Sequence, residues 1–371
     1  MMYRAVAFVV LLAACGDPSV DVAPVEAPAP IRLEIVEESL DPGSSFTDCH
    51  LDFDISGNLH AAYRFLPSGQ TGTELRYAVN SSGEWRAESI GQFSSMQRSF
   101  DLAVETRQPS VLFAAEQESQ QSIVNATREV DGTWSADTLL SEVGELSGLR
   151  LASNSVAGEI RGLLPPVGTE YFRDASIEFG DWQIEPIGFV PFGAIVRGFD
   201  ITIDRRGTAH ACITSDNEGE QILYYARLTD GLWDIEEAYV GSLSVDCRIG
   251  TDREGVPRLG VVEQTAGEDQ LLLLEQAPGG WQRVLVTLAS SFAAFDMVTS
   301  SGGNTSFSWI DSSVRELILG SETMAFEPER VADVTSGSSA SLALSPNGNL
   351  GFCTEIPGAT GPQVIAGTVQ R

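Results

Sequence analysis

The chain has 371 residues, 52 of them acidic and 22 basic, giving a formal net charge of −30, and every basic residue is arginine. That balance excludes a nucleic-acid-binding surface, which needs clustered positive charge, and excludes electrostatic attraction to anionic lipid, so any membrane attachment has another origin. The length would hold two average domains, but closed β architectures often exceed about 250 residues as one unit, and one folded body is expected.

The first fifteen residues carry one positive charge, Arg4, then an apolar run from Ala5 to Leu12, and end in Leu12-Ala13-Ala14-Cys15. The run is too short to cross a bilayer as a mature helix. It resembles the lipobox of bacterial lipoproteins, which implies cleavage before Cys15, lipidation of that residue, and a membrane anchor made of acyl chains alone. The other reading is an ordinary secretory leader in which Cys15 is incidental. Gly16 stands where an inner-membrane retention signal of enteric bacteria has aspartate, so the resemblance points to the outer membrane, without saying which of its faces. Residues 16–30 are rich in proline and alanine and read as an extended tether of roughly 3 Å per residue.

From residue 31 onward the chain repeats. Five tryptophans recur, Trp85, Trp134, Trp182, Trp233 and Trp281, spaced by 49, 48, 51 and 48 residues, and Ile31 to Glu37 resembles the segment Trp85 to Ile90. Each tryptophan follows a short glycine turn, and this period suits a four-stranded propeller blade. A second signature, D-x-x-G, recurs at Asp54 to Gly57, Asp204 to Gly207 and Asp252 to Gly255, with the variant Ser345 to Gly348. Aspartate first and glycine fourth favour a type I turn closed by a left-handed glycine, joining an innermost strand to a second one. Six units start near Phe46, Phe100, Leu149, Phe199, Cys247 and Phe295, the third and sixth being degenerate. The tail from Ser339 to Arg371 supplies only three strands. Ile31 to Glu37 supplies the fourth, so the expected fold is an all-β, seven-bladed propeller over residues 31–371, closed by its own N-terminal strand and free of exposed sheet ends.

With Cys15 set aside, four cysteines remain, an even set that suggests disulfides in an exported protein. Cys49 and Cys247 lie eight residues before their turn glycines on innermost strands; Cys212 and Cys353 lie five after theirs on second strands. The two classes face each other across neighbouring blades, which pairs Cys212 with Cys247 and Cys49 with Cys353. No C-x-x-C occurs and His50, His60 and His210 are scattered, so no metal site is expected. No cofactor is expected either; calcium stays open, since no loop carries a full EF-hand ladder.

On the upper face, taken as the one bearing the loops after second and fourth strands, two residue sets gather. One is a series of acidic loops at Glu116 to Gln121, Asp216 to Glu220, Glu263 to Asp269, and Asp311. The other comprises His50, Asp101, Asp200, Arg248 and Asp296 at matching positions of innermost strands, with Arg98 and Arg197 two residues before Phe100 and Phe199. These seven are the candidate ligand-binding residues. The simpler reading is that recurring aspartates bond backbone amides or an arginine of their own blade, and that His60 and His210, recurring at one repeat position, pack between blades.

The glycine-tryptophan turns, the D-x-x-G hairpins and the period together resemble the sialidase-like propellers whose blades carry S-x-D-x-G-x-x-W repeats. Asp131-Gly132-Thr133-Trp134 and Asp230-Gly231-Leu232-Trp233 are shorter, and only Thr229 supplies the leading hydroxyl. The resemblance implies, for an enzyme, an arginine triad, for which Arg98, Arg197 and Arg248 are the candidates. It also implies a tyrosine nucleophile with a glutamate base. Tyr77, Tyr171, Tyr224 and Tyr225 fall on third strands away from the channel, and Tyr63 lies on a second strand beside no obvious base. The favoured reading is a non-catalytic binding or scaffold module, monomeric, offering its upper face to a carbohydrate or protein ligand; the rival is a sialidase-like glycoside hydrolase or lyase.

Overall fold

In the computed structural model the described residues are 32–369 except 39–42, 82, 95, 106–107, 118–119, 142, 144–147, 155–157, 166–171, 179–180, 188–194, 218 and 336–337. The leader, Cys15, the tether and Tyr171 lie outside them. The described chain is all β apart from one 3-10 turn, Glu322–Met324. Strand β1 (Arg32–Glu38) is followed by six four-stranded meanders. Blade one holds β2 (Ser45–Phe53), β3 (Leu59–Leu66), β4 (Thr73–Asn80) and β5 (Trp85–Phe93); blade two holds β6 (Met96–Glu105), β7 (Gln108–Gln117), β8 (Gln120–Arg128) and β9 (Trp134–Ser141). Blade three holds β10 (Arg150–Asn154), β11 (Glu159–Leu164), β12 (Phe172–Glu178) and β13 (Asp181–Ile187). Blade four holds β14 (Ile195–Ile203), β15 (Ala209–Asn217), β16 (Glu220–Thr229) and β17 (Leu232–Val240). Blade five holds β18 (Leu243–Thr251), β19 (Pro257–Glu263), β20 (Asp269–Ala277) and β21 (Gly280–Ala289). Blade six holds β22 (Phe292–Thr299), β23 (Thr305–Asp311), β24 (Glu316–Ser321) and β25 (Glu329–Asp333). Blade seven takes β26 (Ser341–Leu344), β27 (Leu350–Pro357) and β28 (Pro362–Val369) from the tail and β1 from the head, in the order β1-β28-β27-β26. The ring closes as the sequence predicts, with Leu33 opposite Gly367 and Glu37 opposite Val364.

Each second strand is covered on both faces by neighbouring blades, which is why it reads as a run of small and apolar residues: Ala61, Ala62 and Tyr63 on β3, and Ala209, Ala211, Cys212 and Ile213 on β15, are all buried. Innermost strands alternate instead, because one face lines the channel. The core therefore lies between blades. Val36, Ala343, Cys353 and Val364 of blade seven pack with Phe46, Leu51 and Tyr63 of blade one, and comparable clusters occupy the other interfaces.

The D-x-x-G turns have the expected geometry. Gly57 donates to the Asp54 carbonyl at 3.0 Å, the Asp54 carboxylate accepts the amides of Ser56 and Asn58 at 2.9 and 2.8 Å, and Gly57 has φ +82°. A further member, without the aspartate, is Ser300 to Gly303 in the degenerate sixth unit, where Gly303 donates to the Ser300 carbonyl at 2.8 Å. In the third unit the hairpin is one residue longer, closed from Gly158 to the Asn154 carbonyl. Both disulfides form as expected, Cys49 with Cys353 and Cys212 with Cys247, their Cα atoms 6.1 and 6.4 Å apart.

Candidate functional site

Each innermost strand anchors itself with a buried residue and turns the next one toward the channel. The anchors are Cys49, Phe100, Leu149, Phe199, Cys247, Phe295 and Ala340. The residues that follow, His50, Asp101, Arg150, Asp200, Arg248, Asp296 and Ser341, line a cavity of about 570 Å³ at the upper end of the channel. A second cavity of about 340 Å³ lies below it, and Asp52, Ser153, Thr202 and Ile249 wall both.

From blade one to blade six the ring alternates between base and acid. Asp101 lies 3.1 Å from the His50 ring nitrogen Nδ1, Asp200 lies 3.6 Å from Arg150 Nε, and Arg248 Nε donates to Asp296 Oδ1 at 3.0 Å. Both arginines also donate backward to the carbonyl of the preceding residue, Arg150 to Leu149 at 3.0 Å and Arg248 to Cys247 at 2.8 Å. The other carboxylate oxygen of each acid reaches the following blade: Asp101 accepts the Leu151 amide at 2.8 Å, Asp200 that of Ile249 at 3.0 Å, and Asp296 that of Leu342 at 2.7 Å. The Ser341 hydroxyl continues the series by accepting the Leu51 amide at 3.1 Å, and Asp52, one level lower, accepts the Val104 amide at 2.7 Å. The aspartates thus bond amides and arginines of the adjacent blade, and Asp52, Asp101 and Asp296 also accept the amide of the next residue on their own strand, at 2.8, 2.9 and 2.9 Å.

Burial pushes Asp200 up to about 6 despite the nearby Arg248 and Arg150, and pushes Asp52 up to about 6 against the pull of its amide bonds. Asp101 is equally enclosed, but the hydrogen bond and charge of His50, with Arg150, outweigh burial and hold it below the ordinary carboxylate value. For Arg248, burial would favour the neutral form; Asp246, Asp296 and Asp200 overcome it and raise the guanidinium. The mouth is therefore a loop of mutually compensated charges, with Asp246 3.8 Å from Arg248 and Asp48 paired to Arg64 beside it.

Of the seven sequence candidates, His50, Asp101, Asp200, Arg248 and Asp296 come together in this ring. Arg197 does not: its half-exposed guanidinium pairs with Asp216 at 3.0 Å on the second strand of its own blade. The Arg98 side chain lies outside the described residues, although its backbone belongs to β6. Arg150 and Asp52 belong to the site and escape the sequence reading. Arg150 sits eight residues before Gly158 instead of seven, because the hairpin of blade three carries the extra residue.

Tyr63 requires a correction. It does have a carboxylate partner, donating to Glu37 Oε2 at 2.5 Å, while Arg76 pairs with the other Glu37 oxygen. The pair is unreadable in sequence because Glu37 arrives from the N-terminal strand of another blade. Tyr63 is fully buried and its hydroxyl is raised well above the ordinary phenol value, first by burial and then by Glu37. It therefore fastens the seam and does not face the channel cavity.

His60 and His210 are buried and take part in matching chains. His60 Nδ1 lies 2.6 Å from the Tyr77 hydroxyl and Nε2 3.6 Å from Asp54; His210 lies 2.7 Å from Tyr225 and 3.4 Å from Asp204. Burial holds His60 down to about 4 and lowers His210 as well, so both rings are neutral near pH 7. Each tyrosine meets the tryptophan of the following blade edge to face, Trp134 at 5.2 Å and Trp281 at 5.3 Å. The recurrence of the whole chain at two interfaces marks it as an interblade fastening. Among the described residues no group of three or more His, Cys, Asp or Glu is placed to hold a metal ion.

No family model and no curated protein sequence matches the chain. Solved structures do. The β-propeller domain of the Trilobed protease from Pyrococcus furiosus aligns with TM-score 0.53 at 9% identity, covering 87% of this chain and 95% of that one. A protein of unknown function from Dyadobacter fermentans gives 0.52 at 10% identity over 91% and 98%. An α-L-arabinofuranosidase from Fusarium graminearum gives 0.50 at 10% identity over 93% and 98%. At such identities these likenesses establish the propeller fold and nothing of the chemistry.

Proposed function

We propose that this chain is a non-catalytic binding or scaffold propeller of the bacterial cell envelope, held to the outer membrane by acyl chains on Cys15 and offering its upper face to a carbohydrate or protein ligand. The observation that carries this reading is the mutual pairing at the channel mouth. A carboxylate-gripping enzyme keeps arginines free for its substrate, because bidentate guanidinium pairing is how it holds one. Here Arg150 and Arg248 are already engaged by Asp200 and Asp296, and Arg197 is engaged away from the cavity by Asp216. The tyrosine with a glutamate partner on a second strand, Tyr63, is sealed between blades. Ligand recognition then falls to the rim, where Asp246 and the described loops after β3, β19 and β23 present side chains to solvent. Similarity in fold to an arabinofuranosidase described with an iminosugar inhibitor is compatible with a sugar ligand and does not select one.

The test is to assay the purified protein against a panel of fluorogenic glycosides that includes a sialoside, alongside a glycan array and pull-down from solubilised membranes. Binding without turnover is expected. Turnover above the buffer rate that is lost on replacing Arg248 would refute the reading.

A further inference from the structure

The interblade fastening described above is complete at blades one and two and incomplete at blades four and five. In the first, the Trp134 indole N–H donates to Glu88 Oε1 at 2.9 Å, and Arg128, opposite Trp134 on the neighbouring strand, closes the same carboxylate with two bonds of 2.6 and 3.2 Å. In the second, Trp281 donates to Glu236 at 2.9 Å, but the residue opposite Trp281 is Gln276, reaching Glu236 only at 3.4 Å. Glu236 and Glu88 occupy equivalent places, opposite Tyr225 and Tyr77. Where the arginine fork would sit, the surface opens into a groove of about 600 Å³ walled by Glu236, Glu237, Gln276, Pro278 and Trp281. It adjoins a second hollow of about 380 Å³, walled in part by Tyr225, Arg227 and Asp234, that shares Glu236 and Gln276 with it.

We infer that this lateral groove between blades four and five is a second binding site, taking a neutral saccharide unit of an oligosaccharide. The inference rests on the reading that the ligand class is carbohydrate, and it places recognition away from the channel mouth. Three features suit the chemistry. The partly buried Trp281 offers an apolar ring against which the C–H face of a pyranose packs. A carboxylate without a bidentate cation accepts vicinal hydroxyls, and an adjacent amide both donates and accepts. Asp234, Glu236 and Glu237 against Arg227 leave the groove net negative, which disfavours uronic and sialic acids. A site of this kind, concave and mostly preformed with a few convergent polar groups, is typical of small-ligand recognition.

The deciding substitution is Gln276→Arg, which reproduces at blades four and five the closure the chain already uses at blades one and two, and so should leave the melting midpoint unchanged or raised. The full-length protein is screened on an array of neutral oligosaccharides, cello-, manno- and xylo-tetraose to hexaose, and hits are measured by calorimetry for wild type, Gln276→Arg and, at the channel mouth, Asp246→Asn. The expected result is at least one hit whose affinity falls tenfold or more in Gln276→Arg. Binding that survives Gln276→Arg overturns the lateral site. If that same binding is lost in Asp246→Asn, carbohydrate recognition by the upper face stands without it. Absence of any hit also overturns the lateral site, leaving a protein ligand for the upper face.

Discussion

Glu355 shows how one residue couples the seam to pH. Its carboxyl group is 1% exposed on β27, accepts the Ser339 amide at 2.9 Å, and has no ion-pair partner among the described residues, while Asp48 adds a like charge nearby. Burial first, and Asp48 with it, push its pKa from 4.5 to about 7. Because the folded form holds its proton more tightly than the unfolded one, the stabilising contribution is complete below pH 4.5 and disappears as pH rises through about 7. Glu355→Gln removes the ionisation and keeps an acceptor for Ser339. We expect the variant to match wild type at pH 4.5 and to exceed it at pH 8 by at most about 3 kcal/mol, since each pKa unit corresponds to about 1.4 kcal/mol. Denaturant titration at the two pH values measures this; equal stability differences at both would show that Glu355 does not titrate in the folded state. The Ser339 hydroxyl also accepts the Cys49 amide at 2.7 Å, so this group acts on the junction of blades seven and one.

At the scale of the repeat element, the D-x-x-G hairpins allow a paired comparison. Gly57 and Gly255 have nearly the same backbone, φ +82° and +80°, but a Cβ on Gly57 would meet nothing within 4 Å, whereas one on Gly255 would come within 2.5 Å of Asp204 of the preceding blade. Asp204 cannot easily move, since its carboxylate holds the Arg206 and Thr208 amides and lies against His210. Gly57→Ala should therefore cost about 1 kcal/mol, the conformational penalty alone. Gly255→Ala should cost at least about twice that, because the added atom meets a fixed neighbour. Thermal unfolding of the two variants separates the terms, and equal losses would refute the close approach.

The same elements explain what the sequence reveals. Local geometry is legible: turn glycines, tryptophan spacing and cysteine register each depend on residues within one hairpin, and they lead to seven blades and both disulfides. What stays hidden lies between elements. Arg150 drops out of register because of one extra hairpin residue, Ser300 to Gly303 lacks the aspartate, and the Tyr63–Glu37 pair joins head to first blade. The alternation of His50, Asp101, Arg150, Asp200, Arg248 and Asp296 becomes meaningful only when residues about fifty apart are placed side by side in the ring.

For the whole molecule, closure is the organising constraint. Cys49 and Cys353 are 304 residues apart and tie first blade to last, whereas Cys212 and Cys247 are separated by 35. Chain-entropy arguments assign about 5 kcal/mol or slightly more to the long bridge and about 4 kcal/mol to the short one, as upper figures. Replacing Cys49 and Cys353 by alanine should lower the unfolding midpoint more than replacing Cys212 and Cys247; the reverse order would mean that the seam is already held by β1 and the Glu37 and Glu355 contacts.

On the proposed reading, the charged channel mouth fastens blades and is not a catalytic centre. The unfolding midpoint of Arg248→Met against wild type tests it directly. Arg248 is 14% exposed and bound by the half-buried Asp296, so its removal leaves that carboxylate without its cation, a loss of about 2 kcal/mol or more. A clear fall in the midpoint is the expected result. An unchanged or higher midpoint, the mark of a residue kept for a substrate at the expense of stability, would contradict that role.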